Sequence, residues 1–295
     1  MEVPHVHLGP ASLELLLLQA EHRSSYIWEG QLLAQTFHAR RVDDTWDFLR
    51  AHHLHPRIVR RLQDMGNPMI IEIGRLQLDW SLITALIEQW RPETHTFHLP
   101  IGEATITLQD VEVLYRLSVD EHPVALLHAL RDYTGLQYLE MLQRLTSFQP
   151  AEEAALVGAS RLQLMPVRLH LEVMHADITD DTPDLHINRY TRLLMLLMFG
   201  EVLFPNTSGN LVSLRFLHHL ERLDGLPGYS WGAAVLGFLY RQMCQASMGT
   251  QRDIAGFLIM ILWGIRQLLK LNQDICIQRP FEEILQYPFK NATNI

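Results

Sequence analysis

The stretch from Leu78 to Leu108, LDWSLITALIEQWRPETHTFHLPIGEATITL, constrains the fold more than any other part of the chain. We call this stretch the opening block. Bulky apolar residues recur at helical spacing between Asp79 and Trp90, which predicts an amphipathic helix. Asp79 stands at the N-cap position, where its carboxylate can accept a backbone N–H. Pro92 forces the chain out of the helix soon after Trp90.

A hairpin and a second capped helix are predicted directly after this first helix. Thr96–Leu99 and Ala104–Thr107 have the composition of short strands, and they flank the turn Pro100-Ile101-Gly102. Thr107 can cap the helix that follows, and the carboxylate of Asp110 lies favourably at its positive end. Helix, hairpin and capped helix therefore form one coherent unit.

The rest of the chain favours helices separated by loops that are rich in Pro, Gly or Asp. We therefore expect a mainly α fold, a single multi-helix globular domain with a small β-hairpin around residues 96–107. The other predicted helices are Trp46–Leu54, Pro56–Met65, Tyr133–Thr146, Ala159–Ala176, Ile187–Phe204, Leu211–Leu223, Ser230–Ala246 and Arg252–Leu271.

Three regions are predicted along the chain. Residues 1–45 form an amino-terminal arm that docks on the body and contains a short helix near Leu13–Ala20. Residues 46–285 form the globular domain, with a turn at Gly66-Asn67-Pro68, and residues 286–295 form a carboxy-terminal tail.

Composition argues against several classes of protein. A net charge of −9 argues against a broad, non-specific nucleic-acid surface. Two distant cysteines, Cys244 and Cys276, indicate a reducing compartment and not a disulfide scaffold. The acidic start does not match a signal peptide, and the longest uncharged runs are too short to span a bilayer, so we expect no membrane partner.

A G-x-S-x-G pattern occurs at Gly228-Tyr-Ser230-Trp-Gly232. In hydrolases this elbow needs a strand before the serine and a helix after it. Here Leu226-Pro227-Gly228 precedes the serine and predicts a loop. The alternative is that Ser230 caps the helix that starts at Trp231, so a cryptic serine hydrolase is only a third hypothesis.

No cofactor is predicted. The 16 histidines match no compact zinc motif, so a zinc site could arise only from scattered residues. The aspartates at positions 177, 180, 181 and 184 lack the spacing of a calcium loop and favour a solvated linker. Neither Lys270 nor Lys290 is a convincing pyridoxal-phosphate lysine, and no phosphate-binding glycine loop is present.

Two groups of residues are candidates for interaction. Arg189, Arg192 and Arg241 are among the arginines that punctuate the carboxy-terminal helices, and they could form a groove for phosphate or an acidic peptide. The alternative is that they pair with the surplus carboxylates. His95, His98 and Glu103 are the polar residues of the opening block that no structural role accounts for.

Several segments resemble the plant mobile domain, the family of the maintenance-of-meristems proteins. The resemblance covers roughly residues 12–280, in the expected order. Besides the opening block it includes Gln19-Ala-Glu-His-Arg-Ser-Ser, Ile73-Gly-Arg-Leu-Gln-Leu-Asp-Trp, Tyr190-Thr-Arg-Leu-Leu-Met-Leu-Leu-Met-Phe-Gly, Leu203-Phe-Pro, Tyr229-Ser-Trp-Gly-Ala-Ala-Val-Leu-Gly-Phe-Leu-Tyr-Arg-Gln-Met-Cys and the Gly256–Leu269 helix.

The resemblance implies a nuclear protein that acts in transposon silencing, gene expression and meristem maintenance. It implies partners among chromatin or silencing factors and phosphatase-like proteins of the serine/threonine metallo-type. It supplies no catalytic residues, and the chain lacks the metal motifs of those phosphatases. The leading hypothesis is a non-enzymatic interaction module; the second is a transposon-encoded accessory protein that binds nucleic acid.

Overall fold

The computed structural model describes most of the chain between residues 16 and 261. The described residues are 16–31, 36–37, 43–64, 79–99, 102–125, 127–151, 155–207, 209–251, 253–256, 258 and 260–261.

Helices dominate the described residues, as the sequence predicts. The α-helices are α1 (Arg23–Trp28), α2 (Asp43–Ala51), α3 (Pro56–Asp64), α4 (Trp80–Gln89), α5 (Leu108–Tyr115), α6 (Gly135–Thr146), α7 (Leu164–Ala176), α8 (Asp184–Met198) and α9 (Trp231–Ala246). Shorter 3₁₀ segments are His128–Asp132, Leu214–Glu221 and Leu223–Gly228, and α8 continues as a π-helical turn at Phe199–Leu203.

Two small antiparallel sheets accompany the helices. The first contains β1 (Trp90–Arg91), β2 (Thr96–Leu99) and β3 (Gly102–Ala104) in that order. The second contains β4 (Leu156–Val157), β5 (Arg161–Gln163) and β6 (Leu211–Ser213). The mainly α prediction with a small hairpin is therefore confirmed.

The hydrophobic core is built around α8. Every residue from Leu193 to Phe199 is almost completely buried. A helix that is apolar on all sides must be covered on all sides, and α3, α6, α7 and the 3₁₀ segment Leu214–Glu221 all pack against it. On α9 a buried stripe that includes Trp231, Val235 and Leu239 joins the same core.

Both predicted caps in the opening block are present. The Asp79 side chain accepts a hydrogen bond of 3.0 Å from the Leu82 N–H at the start of α4. Thr107 and Asp110 form a reciprocal capping box at the start of α5. Such caps depend on residues three positions apart, so local sequence is enough to predict them.

The second hairpin strand lies earlier than predicted. It runs from Gly102 to Ala104, not from Ala104 to Thr107. Gly102 has a φ of +131°, a region that glycine adopts readily, and it pairs with Leu99. Residues 105–107 instead lead the chain into the capping box, in which Thr107 is the N-cap.

The helix predicted near Leu13–Ala20 is wrong over its described part. Residues 17–20 form turns, and the regular helix is α1, farther along the chain. His22 is its N-cap and accepts from the Ser24 N–H. A run of leucines has a high helix propensity, but here polar contacts of the next residues decide where the helix begins.

The second sheet was not predicted. Ala159–Ala176 was expected to be one helix, yet residues 161–163 form β5 and the helix starts at Leu164. Leu211–Leu223 was also expected to be a helix, yet it begins with β6 and continues as a 3₁₀ segment. Leu162 and Val212 are buried partners in this sheet, and three-residue strands are too short to show a periodicity.

The end of α8 also departs from the prediction of one helix over Ile187–Phe204. The α-helix spans Asp184–Met198 and then widens into the π-helical turn. Gly200 lies against β6 and α7, since a Cβ there would be 2.9 Å from Val212 Cβ and 2.8 Å from Leu164 Cδ1. The buried Glu201 accepts a hydrogen bond of 3.0 Å from the Thr45 N–H in the first turn of α2, where the helix dipole favours an anion.

The four aspartates of the acidic linker are exposed to solvent, as predicted, and the linker also makes defined contacts. Asp184 Oδ1 accepts a hydrogen bond of 2.7 Å from Arg57, and the Asp180 carboxylate lies 3.2 Å from His55 Nε2. The Arg57 guanidinium also donates to the carbonyls of Asp180 and Thr182. These contacts hold the connection between α7 and α8 against the start of α3.

Some predictions fall beyond the described residues. The turn at Gly66-Asn67-Pro68, the tail, and most of the helix predicted at Arg252–Leu271 are among them. Cys276, Lys270 and Lys290 also lie there. The predicted boundaries of the arm and the domain stay predictions.

Candidate interaction site

The first sheet brings His98 and Glu103 together on one solvent-facing surface. They are directly opposite each other in the register of β2 and β3, and His98 Nε2 lies 3.6 Å from Glu103 Oε1. Thr96 Oγ1 donates to Glu103 Oε2 at 3.2 Å, and Thr94 Oγ1 lies 3.4 Å from His98 Nε2. We call these four residues the hairpin face.

His95 does have a structural role, contrary to the sequence analysis. It ends the loop between β1 and β2 in the left-handed region, with a φ of +54°, and its N–H donates to Arg91 O. Histidine is among the residues that tolerate this conformation. The His95 ring stacks on Tyr240 of α9 with centroids 5.5 Å apart, and its carbonyl accepts from Thr105 Oγ1 at 2.7 Å.

Trp90 packs on the buried side of the hairpin. Its buried ring makes edge contacts with Phe97 and Tyr240, at centroid distances of 4.8 and 5.1 Å. The indole N–H donates to Cys244 Sγ at 3.3 Å. Burial raises the pKa of the Cys244 thiol, so the neutral form is favoured.

The amino-terminal segment docks on the same tryptophan through His22. His22 Nε2 lies 2.7 Å from the carbonyl oxygen of Trp90, so this nitrogen carries the proton and donates. His22 Nδ1 accepts from the Ser24 N–H at 3.1 Å. Burial, followed by the charge of Arg91, lowers the pKa of His22 to about 4. A neutral imidazole with one donor and one acceptor suits both partners.

Next to His22, Arg23 enters the protein interior. Only 1% of Arg23 is exposed. Its Nε lies 3.3 Å from Glu88 Oε1, its Nη1 donates to Gln251 O at 2.8 Å, and its guanidinium lies 4.3 Å from the centroid of the Phe37 ring. Burial raises the pKa of Glu88 to about 7, although the positive charge of Arg23 opposes that shift.

Arg91 of β1 completes this buried polar cluster. Its Nη1 donates to Gln19 Oε1 at 2.9 Å and lies 3.4 Å from Ser24 Oγ. Burial lowers the pKa of Arg91 from its usual value. The cluster formed by Gln19, His22, Arg23, Glu88 and Arg91 therefore joins the amino-terminal segment to α4, to β1 and to the end of α9.

The sequence alone did not predict that these residues form a cluster in the interior. A signal was present, because Gln19-Ala-Glu-His-Arg-Ser-Ser was one of the segments that carried the family resemblance. Hydropathy alone places such polar residues on the surface, and only the tertiary contacts show that His22, Arg23 and Ser24 are buried and hydrogen-bonded.

The three candidate arginines do not form one common group of contacts. The guanidinium of Arg192 donates to three carbonyls, those of Leu220, Glu221 and Leu145, at 2.8, 3.1 and 3.4 Å. It therefore caps the carboxy-terminal ends of the 3₁₀ segment Leu214–Glu221 and of α6. Arg241, on α9, lies over the ring of Phe238 at 5.3 Å.

Arg189 is one turn away from Arg192 on α8. Its Nε is buried and, within the described part of the chain, has no hydrogen-bond partner. Burial, followed by the positive charges of Arg144 and Arg189, lowers the pKa of Arg192. Arg144 itself pairs with Glu221. Of Arg144, Arg189 and Arg192, it is therefore Arg189 that keeps a donor, its Nε, without an acceptor among the described residues.

Ser230 is not arranged as an exposed nucleophile. It is 3% exposed, and its Oγ donates to Val119 O at 2.6 Å. It does occupy the N-cap position of α9, but its side chain makes no capping hydrogen bond. The sequence therefore predicted the right position for this serine and the wrong partner.

His218 and His219 are adjacent on the 3₁₀ segment, and their ring centroids are 3.6 Å apart. His218 Nδ1 lies 2.6 Å from Arg215 O, whereas both ring nitrogens of the buried His219 have no hydrogen-bond partner among the described residues. Burial lowers the pKa of His219 to about 4. Over the described ranges, no three His, Cys, Asp or Glu side chains are close enough together to hold a metal ion.

Comparison with known proteins decides the family. The model of the plant mobile domain matches residues 66–287, well over half of the chain. This chain belongs to the plant mobile domain family. The resemblance stated from the motifs is therefore confirmed.

Curated relatives of this plant mobile domain come from Arabidopsis thaliana. The chain is 34% identical to "Serine/threonine-protein phosphatase 7 long form homolog" over 88% of its own length and 18% of that protein. It is 31% identical to "Protein MAIN-LIKE 2", over 95% of the chain and 39% of the relative. With "Protein MAINTENANCE OF MERISTEMS" the identity is 30%, over 94% of the chain and 53% of the relative.

The chain spans about half or less of the length of these relatives. No solved structure matches it. None of the helices formed by the described residues has both the length and the apolar character that crossing a bilayer requires.

Proposed function

We propose that this plant mobile domain is a non-enzymatic, nuclear protein-interaction module. Its partners are a phosphatase-like protein of the serine/threonine metallo-type and chromatin or silencing factors. Through them it acts in transposon silencing, gene expression and meristem maintenance. Support for the biological setting comes from the family membership and from the relative named for the maintenance of meristems.

The hairpin face is the observation that carries the proposal. His98 and Glu103 present hydrogen-bonding groups to solvent, while Trp90 and Tyr240 pack on the buried side of the sheet. A rigid support lowers the entropic cost of binding, because little has to be ordered when a partner arrives. By contrast, the hydroxyl of the one elbow-like serine, Ser230, is already bound to a backbone carbonyl.

Affinity purification from plant nuclei tests the proposal. The 295-residue chain is compared with the double variant His98→Ala/Glu103→Ala, which removes the two central side chains of the hairpin face. The matched control is Asp47→Ala/Arg50→Ala, which removes an exposed ion pair on α2. We expect the wild type and the control to recover phosphatase-like or chromatin proteins and the hairpin variant to lose them.

Two results would count against the proposal. Recovery of no nuclear or phosphatase-like partner by the wild type contradicts the interaction module itself. Equal recovery by the hairpin variant contradicts the assignment of the hairpin face as the binding surface. Thermal unfolding of each variant establishes that a loss of binding is not a loss of fold.

Binding of nucleic acid is a second candidate function, favoured by the neighbouring positive charges of Arg144, Arg189 and Arg192. Contacts with phosphates release counterions, so affinity should fall steeply with rising salt. A binding assay on the wild type and Arg189→Ala at several salt concentrations tests this function. A flat salt response, or equal binding by both proteins, contradicts it.

A further inference from the structure

Strand β3 is an open edge of the first sheet. Within the described part of the chain it pairs with β2 alone, and Gly102 and Glu103 are exposed to solvent. An edge strand directs N–H and C=O groups away from its sheet, which makes it a template for pairing with another chain. β3 therefore has the form of a surface to which an extended segment can be added.

The register shows which residue of β3 faces outward. Leu99 pairs with Gly102 across a connection of two residues, and the residues that flank so short a connection bond to each other. Pairs with and without mutual hydrogen bonds alternate along an antiparallel ladder, so the next pair, His98 with Glu103, has none. The N–H and C=O of Glu103 therefore point away from β2.

The opposite edge of the sheet is covered, which distinguishes it from β3. On β1, the carbonyl oxygen of Trp90 accepts from His22 Nε2 at 2.7 Å, and the Trp90 N–H donates to Ile87 O. The amino-terminal segment and α4 thereby occupy the outer side of β1. A further strand can join this sheet at β3 and not at β1.

Space for a second backbone exists beside β3. A Cβ at Gly102 would meet nothing within 4 Å, and a glycine in a strand often occurs where another backbone approaches closely. The neighbouring strand is held in place, because Phe97, which pairs with Ala104, packs against Trp90. The edge is thus both accessible and supported by the core.

The exposed charges of the hairpin are acidic. Over residues 90–99 and 102–104, Glu93 and Glu103 are exposed, whereas Arg91 is buried. The side chain of Glu103 is 58% exposed and belongs to the edge strand itself. Opposite charges attract across neighbouring strands, so a lysine or arginine is favoured opposite Glu103 on an added strand.

A second copy of β3 does not fit this edge. Glu103 is the central residue of the three-residue strand. If two copies of β3 paired antiparallel about their centres, the two Glu103 carboxylates would be directly opposite each other. Like charges in that position are destabilising, so the charge of the edge favours a basic partner over the chain itself.

We propose that β3 receives an extended, basic segment of a partner protein, which adds to the sheet as a fourth strand and places a lysine or arginine opposite Glu103. In this mode of recognition, main-chain hydrogen bonds provide affinity and the alternate side chains provide specificity. The inference rests on the proposed interaction module and deepens it, because it names the chemistry of the segment that binds beside the hairpin face.

Titration with short peptides, followed by NMR of the 295-residue chain, tests the inference. The first probe is acetyl-Val-Thr-Lys-Thr-Val-amide, the second carries glutamate in place of lysine, and the third is the lysine peptide with N-methylated backbone amides. We expect the lysine peptide to shift the amide resonances of Gly102–Ala104. It should bind roughly fivefold more tightly than the glutamate peptide, and the N-methylated peptide should lose binding.

A charge reversal on β3 tests the role of Glu103. Glu103→Lys should prefer the glutamate peptide to the lysine peptide. The matched control is Glu140→Lys, at an exposed position on α6, which should keep the preference of the wild type. No shift of the β3 resonances at millimolar lysine peptide, equal binding of the lysine and glutamate peptides, or binding that survives N-methylation would overturn the inference.

Failure of this inference can be told apart from failure of the proposed function. If the wild type recovers its nuclear partners and the hairpin variant loses them, but the lysine peptide does not bind at β3, the interaction module stands and strand addition is wrong. A wild-type dimer that the lysine peptide does not dissociate would mean that a second copy occupies the edge, which also overturns the inference.

Discussion

Arg23 and Glu88 form a buried ion pair, with Nε and Oε1 3.3 Å apart, that links the amino-terminal segment to α4. The arginine also binds a carbonyl at Gln251 and covers the Phe37 ring. Removing one partner of such a pair leaves the other charge buried and uncompensated, and this cost exceeds the benefit of the pair itself. The amino-terminal segment is therefore integral to the folded domain.

Replacement of Arg23 by Ala should lower the free energy of unfolding by about 3–5 kcal/mol, the usual cost of breaking a buried pair. Urea unfolding followed by circular dichroism measures the change. Arg50→Ala is the matched control, because its ion pair with Asp47 is exposed and should contribute less than about 1 kcal/mol. Equal effects of the two variants would mean that the interior position of Arg23 has no energetic importance.

Stability should depend on pH through Glu88. Its pKa is raised from 4.5 to about 7 in the folded protein, so the folded state holds the proton more tightly than the unfolded state. The stabilisation from this carboxyl is complete below about pH 4.5 and is lost as the pH rises through 7. The change from Glu88 to Gln removes this titration.

The stability of Glu88→Gln relative to the wild type should therefore improve between pH 4.5 and about pH 7 and level off above that range. Urea unfolding at several pH values gives the difference. Glu112→Gln, an exposed position on α5, serves as the control and should follow the wild type. A difference for Glu88→Gln that does not change with pH would contradict the raised pKa.

His22 should make stability depend on pH in the opposite direction to Glu88. Its pKa is lowered to about 4, so its stabilisation is present above 6.5 and is lost as the pH falls through 4. Titration of the His22 ring by NMR measures the pKa directly. A value near 6.5 would mean that the ring is not buried against the carbonyl of Trp90.

Two glycines of α9 should respond to alanine in opposite ways. A Cβ at Gly232 would lie 2.8 Å from Val119 Cγ1 and 3.0 Å from Ser118 O, so Gly232→Ala should destabilise the protein by about 1–3 kcal/mol. A Cβ at Gly237 meets nothing within 4 Å, so Gly237→Ala should stabilise the helix by about 0.5–1 kcal/mol. Thermal unfolding compares them, and changes of the same sign would contradict the packing.

Ser230 should not react with a serine-directed covalent probe, because its hydroxyl is buried and donates to Val119 O. Ser230→Ala should cost about 1–3 kcal/mol of stability, since the carbonyl loses its donor inside the protein. Mass spectrometry of the probe-treated chain and urea unfolding of the variant check the two statements. Stoichiometric labelling at Ser230 would restore the hydrolase hypothesis.

At the candidate site, the sequence predicted which hairpin residues could interact but not how they are arranged. His98 and Glu103 could be singled out, because no cap, turn or core position accounted for them. Their cross-strand pairing depends on the register that Gly102 sets. The role of His95 was missed, because its stacking partner Tyr240 lies 145 positions farther along the chain.

Sequence by itself determined the features whose partners are close in the chain. These include α4 with its Asp79 cap, the Thr107–Asp110 capping box, and the apolar helices α8 and α9, since their signals lie within a few turns. Tertiary structure alone decided the pairing of β5 with β6, the π-helical turn that places Glu201 at Thr45, and the burial of His22 and Arg23. Those features depend on groups far apart in sequence, where packing and desolvation outweigh local propensity.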